Sequence, residues 1–461
     1  MDTYTKLGIL ADAAKYDVAC TSSGVARGPQ AGKLGIASAA GCCHAFTADG
    51  RCITLLKVLL SNACSYDCAY CVNRRSASVQ RATFEPRELA ELTVDFYKRN
   101  LIEGLFLSSG VLGTPDATCE RMAECLRILR QELRFNGYVH AKVIPGASPE
   151  LIDTLGRLAD RLSVNLELPS RGSLALLCPD KDAAQIARPM AQIRAVRDEE
   201  AARLLPAGTE AARKALERPQ RAYDGSAPLS PSMRGQTLTL RPRAAVRASK
   251  RAFAPAGQST QLIIGATPED DNHILQLSRA LYERYDLKRV FFSAYIPMMD
   301  DPNLPDSATP VPLRREHRLY QADWLMRYYA FSPDELATPE APWLDLEVDP
   351  KLAWALAHID RFPVEVMDAP FELLLRVPGI GPVGARRIIR ARRAGRITFD
   401  DLKALNITLK RARHFLTCAG KRDSASPLDP ELIRRKVVED AQASAYNSAR
   451  RRIEAAQPRL F

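Results

Sequence analysis

The stretch Cys64-Ser65-Tyr66-Asp67-Cys68-Ala69-Tyr70-Cys71 spaces three cysteines as C-x3-C-x2-C. Thiols this close in sequence can wrap one inorganic centre, and they cannot easily pair among themselves as disulfides. A structural zinc normally takes four protein ligands, whereas a cubane iron–sulfur cluster held by three thiolates keeps one iron open for a substrate or cofactor. On these residues alone, a zinc knuckle completed by a distant Cys or His is the alternative. Upstream, Leu55–Leu60 reads as a buried strand that delivers its C-terminal end to the cysteine loop.

Working outward, the 461 residues exceed one ordinary domain, and a hydrophobic content of 46% supports a sizeable core in two or three domains. Seven of the eleven cysteines precede residue 72, with no apolar leader before them. That pattern predicts metal ligation in a reducing cytoplasm and argues against a disulfide framework. No run of eighteen apolar residues occurs, so no membrane span is expected. The net charge of +11 points to a polyanionic partner. Residues 371–461 carry twenty Lys/Arg against nine Asp/Glu, and residues 181–255 carry fifteen against seven. Two basic segments therefore flank a near-neutral body.

Beyond the cysteine loop, helices are predicted over 86–100, 116–135, 148–160 and 270–285. Strands are predicted from Gly104 to a small-residue end at Ser108-Ser109-Gly110, over 138–144 and 162–168, to an end at Gly265, and over 289–296. With the strand before the cysteines this makes six strand–helix repeats, which predict a parallel sheet with right-handed crossovers and chemistry at the strands' C-terminal ends. Asn165 and Glu167 interrupt an apolar strand at period two. They face either an interior site or solvent at a sheet edge.

The C-x3-C-x2-C spacing, with Tyr70 just before the last cysteine, closely resembles the radical S-adenosylmethionine (SAM) superfamily. The resemblance implies an α/β fold, a partial (β/α)6 barrel over most of residues 53–300. It also implies a 4Fe-4S cluster on Cys64, Cys68 and Cys71, with SAM chelated by the open iron and cleaved to a 5'-deoxyadenosyl radical. By the same resemblance Tyr70 lies near the adenine. The Ser108, Ser109 and Gly110 turn pairs through its backbone with the methionine amino group, Val111 standing where the family has an acidic residue. Asn165 and Glu167 meet the ribose, and the backbone of Ile263 and Gly265 packs against adenine, with Gln261 in place of the family's first glycine.

Residues 1–52 are read as a cap in which Cys20, Cys42, Cys43 and Cys52 either ligate a second iron–sulfur cluster or a zinc, or are simply reduced thiols. The barrel is expected to run over 53–335 with a basic insertion at 181–257, a substrate clamp or a solvated linker. The aromatics Trp324, Tyr328 and Tyr329 of a helix from Arg314 to Tyr329 are read as core, with base-stacking platforms as the alternative. Residues 336–368 are read as linker and docking helices. From Ala369 onward, a short apolar helix, the turn Pro378-Gly379-Ile380-Gly381 and a basic helix from Pro382 resemble the helix-hairpin-helix motif of DNA repair and processing proteins, here an all-α domain over 369–420 before a basic tail, 421–461. The physics of such a turn is that glycines expose N–H groups at a helix N-terminus, where they meet a phosphate oxygen. Gly379, Ile380 and Gly381 would supply that contact, and Arg386, Arg387, Arg390, Arg392 and Arg393 would neutralise neighbouring phosphates. Phe399–Leu416 reads as a degenerate second copy.

The whole arrangement resembles a bacterial family of DNA modification or repair radical SAM proteins linked with a uracil-DNA glycosylase-like partner. It implies hydrogen abstraction from a nucleotide, with an electron donor such as flavodoxin or ferredoxin. Two rivals stand beside it: a radical SAM modifier of transfer RNA, and a DNA-binding protein whose cluster is structural or redox-sensing. Cys119, Cys125 and Cys178 are candidate hydrogen-atom donors without a place.

Overall fold

The computed structural model describes residues 1–14, 42–46, 52–203, 252–423 and 428–443. Strand β1 (Cys42–Phe46) pairs antiparallel with β2 (Cys52–Leu59). From β2 onward, β3 (Gly104–Ser108), β4 (Tyr138–Lys142), β5 (Arg161–Ser163), β6 (Gln258–Ile264) and β7 (Leu287–Ala294) follow one another across the sheet in chain order, every pair parallel. Six parallel strands with helices between them form the expected partial (β/α)6 barrel.

β2 forms where the sequence is apolar on both faces. In β2 and just after it, Leu55, Leu56, Val58, Leu59 and Leu60 are buried, and Lys57 in their midst is buried with them, as befits a strand covered on both sides. The helices begin at sequence stops. Glu85 and Glu88 form a capping box ahead of Pro86–Lys98, and the Thr114 hydroxyl accepts from Ala117 N–H ahead of Pro115–Arg127.

Two stretches depart from the sequence expectation. The fifth strand ends at Ser163, short of residue 168, because the chain turns out of the sheet and Glu167 adopts φ +69°; it rejoins only through a bridge between Glu167 and Leu262. The period-two reading of Asn165 and Glu167 therefore does not apply, although both are buried, at 5% and 9% exposure. The other departure is the helix Ala183–Arg203, which lies in the stretch assigned to an insertion but packs on the barrel. Its Ile186, Met190 and Ile193 are buried, Gln258 Nε2 donates to Met190 O at 2.9 Å, and Arg197 pairs with Asp286 at 3.1 Å. Its many charges had hidden this apolar face. The remainder of the expected insertion, residues 204–251, lies outside the described residues.

The chain divides into two compact units, with the boundary at Leu313/Arg314; residues 270–276 also group with the second. That second unit is built from short helices around Phe331, Leu352, Trp354, Phe362, Leu374, Val377, Ile380, Ile388, Leu402 and Phe415. It also contains a two-residue parallel pair, β8 (Val364–Glu365) with β9 (Leu416–Thr417). The tail contributes the helix Pro430–Ala443, whose Ile433 and Val437 enter this core and whose Arg434 pairs with Asp345 and Glu347 at 2.6 and 2.8 Å.

Candidate functional site

The cysteine loop starts where β2 ends. Asn62 fastens its base, donating to Gln80 O and accepting from Ala82 N–H. Arg81 fixes the far side by donating to the carbonyls of Asn62, Asn73, Arg74 and Ala77. Ser65 joins the loop to the end of β3, its N–H and hydroxyl both meeting Val111 O, at 2.8 and 2.9 Å. Arg81 escapes sequence reasoning because a guanidinium gathering carbonyls leaves no spacing signal.

Within this frame the sulfurs sit among backbone donors. Cys64 Sγ accepts from Tyr66 N–H at 3.4 Å and Val111 N–H at 3.3 Å, and Cys71 Sγ accepts from Asn73 N–H at 3.4 Å. A hydrogen bond from Cys178 draws the Cys68 thiol down to about 7, against its burial and with help from Lys181. Burial pushes Cys71 up to about 12. Among the described residues, no three His, Cys, Asp or Glu side chains stand close enough to hold a single metal ion. Three soft sulfur donors, hydrogen-bonded by amides and spread over one loop, have the chemistry of a set that binds separate irons of a cluster. The residues present fit that group.

Three residues join the loop that sequence reading had placed elsewhere or not at all. Lys181 Nζ lies 3.2 Å from Glu167 Oε1 and 3.5 Å from the Tyr70 hydroxyl. Burial disfavours the Lys181 ammonium, yet Glu167 and Cys68 together hold its pKa well above the ordinary lysine value. Burial, with Glu167 adding to it, raises Tyr70 well above an ordinary tyrosine. Cys178 hydrogen-bonds to Cys68, which raises its own pKa far above the thiol range. Asp180 accepts from Asp67 N–H at 2.8 Å, tying the same segment to the loop. Cys119 and Cys125 are instead buried in the helix Pro115–Arg127.

The strand ends hold the other sequence candidates. A Cβ on Gly110 would stand 3.1 Å from Cys64 Cβ and 3.2 Å from Ser61 O, so a glycine lets β3's exit close on the cysteine loop. Ser108 is buried with no hydrogen-bond partner on its hydroxyl among the described residues, while Ser109 Oγ donates to Gly110 O. Asn165 Nδ2 reaches Gln261 Oε1 at 3.5 Å. Ile263 N–H donates to Glu167 O at 2.7 Å and so is engaged within the fold; Gly265 has φ +84° and packs on Pro312. Of the candidate auxiliary ligands, Cys20 lies outside the described residues. Cys42, Cys43 and Cys52 have their backbone in the β1–β2 pair, with Phe46 opposite Cys52, and their side chains are outside the description.

In the second unit, Phe371–Leu374, a turn, and Pro382–Ala391 form one helical hairpin; Phe399–Ala404, a turn, and Leu409–Ala412 form another. Gly379 has φ +90° in the first turn, and Asn406 occupies the same left-handed region, at φ +56°, in the second. Asn is the residue that replaces Gly there at least cost. The hairpins interlock: a Cβ on Gly379 would stand 2.7 Å from Thr408 O. Among the described residues no backbone acceptor meets the N–H of Gly379 or Gly381, whereas Ile380 is buried and its carbonyl accepts from Lys351 Nζ. Burial pushes the Lys351 ammonium down to about 7; Asp349 opposes the shift and Arg376 adds to it. Arg386, Arg387 and Arg390 are exposed on the second helix, with Arg387 also donating to Leu405 O at 3.1 Å. Arg392, half-buried, donates from Nη1 to Val366 O and Ala369 O.

No protein-family model and no curated protein matches the chain. Two solved structures of the FeFe-hydrogenase maturase HydG are similar at 12% identity. The one from Carboxydothermus hydrogenoformans has a TM-score of 0.36 over 58% of this chain and 50% of that one; the other has 0.37 over 87% and 82%. This chain thus spans half the length of the first. No helix among the described residues is long and apolar enough to cross a membrane.

Proposed function

We propose that this chain is a radical SAM enzyme that modifies or repairs a nucleobase in DNA. The observation that carries the reading is the position of the three-cysteine loop: it follows the first of six parallel strands, and its Cys64 sulfur is met by the Val111 amide at the exit of the second. Cys64, Cys68 and Cys71 would hold a 4Fe-4S cluster, which when bound supplies the electron for reductive cleavage of SAM and hence hydrogen abstraction from the substrate. Lys181 holds Glu167 and the Tyr70 hydroxyl beside the loop, so the ring proposed to border the adenine is fixed before the cofactor arrives. The paired hairpins of the second unit, with the Gly379 and Gly381 amides and three exposed arginines, suit the phosphate backbone of DNA. A base stacked in a duplex is out of reach, so the target is flipped or single-stranded. A flavodoxin or ferredoxin would supply electrons, a uracil-DNA glycosylase-like protein is a candidate partner, and the compartment is the cytoplasm.

Cys178 favours a second reading. Its thiol lies near enough to Cys68 to lower that thiol's pKa, which would bring a fourth sulfur to the loop for a closed, structural or redox-sensing cluster. Anaerobic reconstitution with iron and sulfide, followed by reduction and addition of SAM with and without DNA, separates the two. The enzyme reading expects 5'-deoxyadenosine that rises with DNA, and iron retained in Cys178→Ser. Iron lost in Cys178→Ser, with no SAM cleavage by the wild type, supports the closed cluster and sinks the enzyme.

A further inference from the structure

The turn Gly379-Ile380-Gly381 forms one wall of a cleft of about 460 Å³ that lies wholly within the second unit. Its other walls come from the helix Leu313–Tyr328 and the segment around Asp349. The sequence pattern favours the core for Trp324 over a base-stacking platform. The structure leaves it 52% exposed at this cleft, while its neighbours Leu325 and Met326 are buried.

Trp324 is not loosely placed. The half-buried Tyr329 lines the same cleft, and its hydroxyl sits 3.0 Å from where a Cβ on Gly381 would be. Tyr328 packs against one side of the indole, with ring centroids 4.2 Å apart. The result is an exposed aromatic plate, backed by Tyr328, on the same cleft as the turn that carries the Gly379 and Gly381 amides. On the same cleft, Asp349, whose Oδ1 also accepts from Leu352 N–H, forms an ion pair with Arg411 through its other oxygen. They present a carboxylate acceptor and guanidinium donors, the two functions needed to meet the hydrogen-bonding edge of a base.

We propose that this cleft receives an unstacked nucleobase of DNA, laid on Trp324 and met at its edge by Asp349 and Arg411, while a phosphate of the same nucleotide or its neighbour rests on the Gly379 and Gly381 amides. The inference rests on the DNA-binding part of the reading above and extends it. The second unit would grip DNA where a base is already extrahelical, so a distorted site is preferred over a regular duplex. An aromatic plate alone tolerates any base. The Asp349–Arg411 pair adds the means to discriminate among them.

The test uses the full chain and three duplexes of equal length: one fully paired, one with a single bulged adenine, and one in which the bulge is an abasic analogue. Wild type is expected to bind the adenine bulge about tenfold more tightly than the other two, the scale of one base–aromatic stack. Trp324→Ala should remove that preference and Trp324→Phe should keep most of it, each checked for folding by circular dichroism. With 2-aminopurine as the bulged base, fluorescence should be quenched on binding wild type and stay bright with Trp324→Ala. Equal wild-type affinity for all three duplexes, or a preference that survives Trp324→Ala, overturns the cleft while leaving DNA binding intact. Binding to none of the three overturns the DNA reading and the cleft together.

Discussion

Both candidate sites turn backbone amides toward negative charge, one among buried groups and the other at the surface. At the cysteine loop the amides of Tyr66, Val111 and Asn73 face sulfur, and the compensating cation, Lys181, is buried with its partner Glu167. At the first hairpin the amides of Gly379 and Gly381 meet no backbone acceptor among the described residues, and the arginines of the helix that follows, Arg386, Arg387 and Arg390, are exposed. Buried charges in low dielectric interact strongly and resist salt. Exposed ones act weakly one by one and are screened. The first site is therefore specified by a few irreplaceable groups, the second by several partly redundant ones.

The comparison can be broken most sharply at the sulfurs. Replacing Cys64, Cys68 and Cys71 together by Ala should remove about four irons per chain and abolish 5'-deoxyadenosine formation. Iron remaining at the wild-type level would move the centre to residues 20–52. Glu167→Gln comes next, since it strands the buried Lys181 ammonium. A loss of about 3–5 kcal/mol is expected in denaturant unfolding of the first unit, insensitive to salt; a loss below about 1 kcal/mol would show that the pair behaves like a surface ion pair.

In the second unit, Gly379→Ala forces a side chain into the left-handed region and against Thr408 O. The expected cost is about 1–3 kcal/mol, read as a lowered melting temperature. Lys351 gives a pH signature. Its pKa is depressed to about 7 in the folded state from an ordinary value of 10.5. Between these two values the unfolded chain binds more protons, so stability rises with pH from about 7 to 10, by up to about 1.4 kcal/mol per pH unit. Lys351→Met should flatten that limb. The smallest effect belongs to Arg390→Ala, which should weaken DNA binding a few-fold and lower the log–log salt slope by about 1. A much larger loss would mean that this surface is not redundant.

How much of this was legible in the sequence follows the same division. Local signals survived: the cysteine spacing, the β2 apolar run and the glycine turn before Pro382 each depend on neighbours within a few residues. Long-range partners did not. Lys181 and Cys178 reach the loop from more than a hundred residues away, through the helix Arg171–Leu177, whose Leu177 carbonyl accepts from Ala69 N–H. Lys181 opens a charged stretch that looks like solvent-facing helix, and Cys178 carries no spacing that ties it to the loop. The exit of β5 was misjudged because period two describes flat strands, and Glu167 at φ +69° breaks the alternation that places side chains. For Trp324 the core was favoured over a base-stacking platform because an aromatic at helical spacing usually packs inward, and nothing in the spacing reveals the turn it borders.

The contact between Lys351 and the Ile380 carbonyl has a thermodynamic consequence. A trans peptide is planar, so its C=O and N–H point in opposite directions. With the Ile380 carbonyl held by the buried amine, the Gly381 N–H of the same peptide plane is already aimed away from Lys351 before any ligand approaches. An anion arriving there need not rotate the peptide into place. In calorimetry the association should then carry little entropic penalty from the turn itself, and Lys351→Met, by releasing the plane, should make binding entropically worse even though the amides remain.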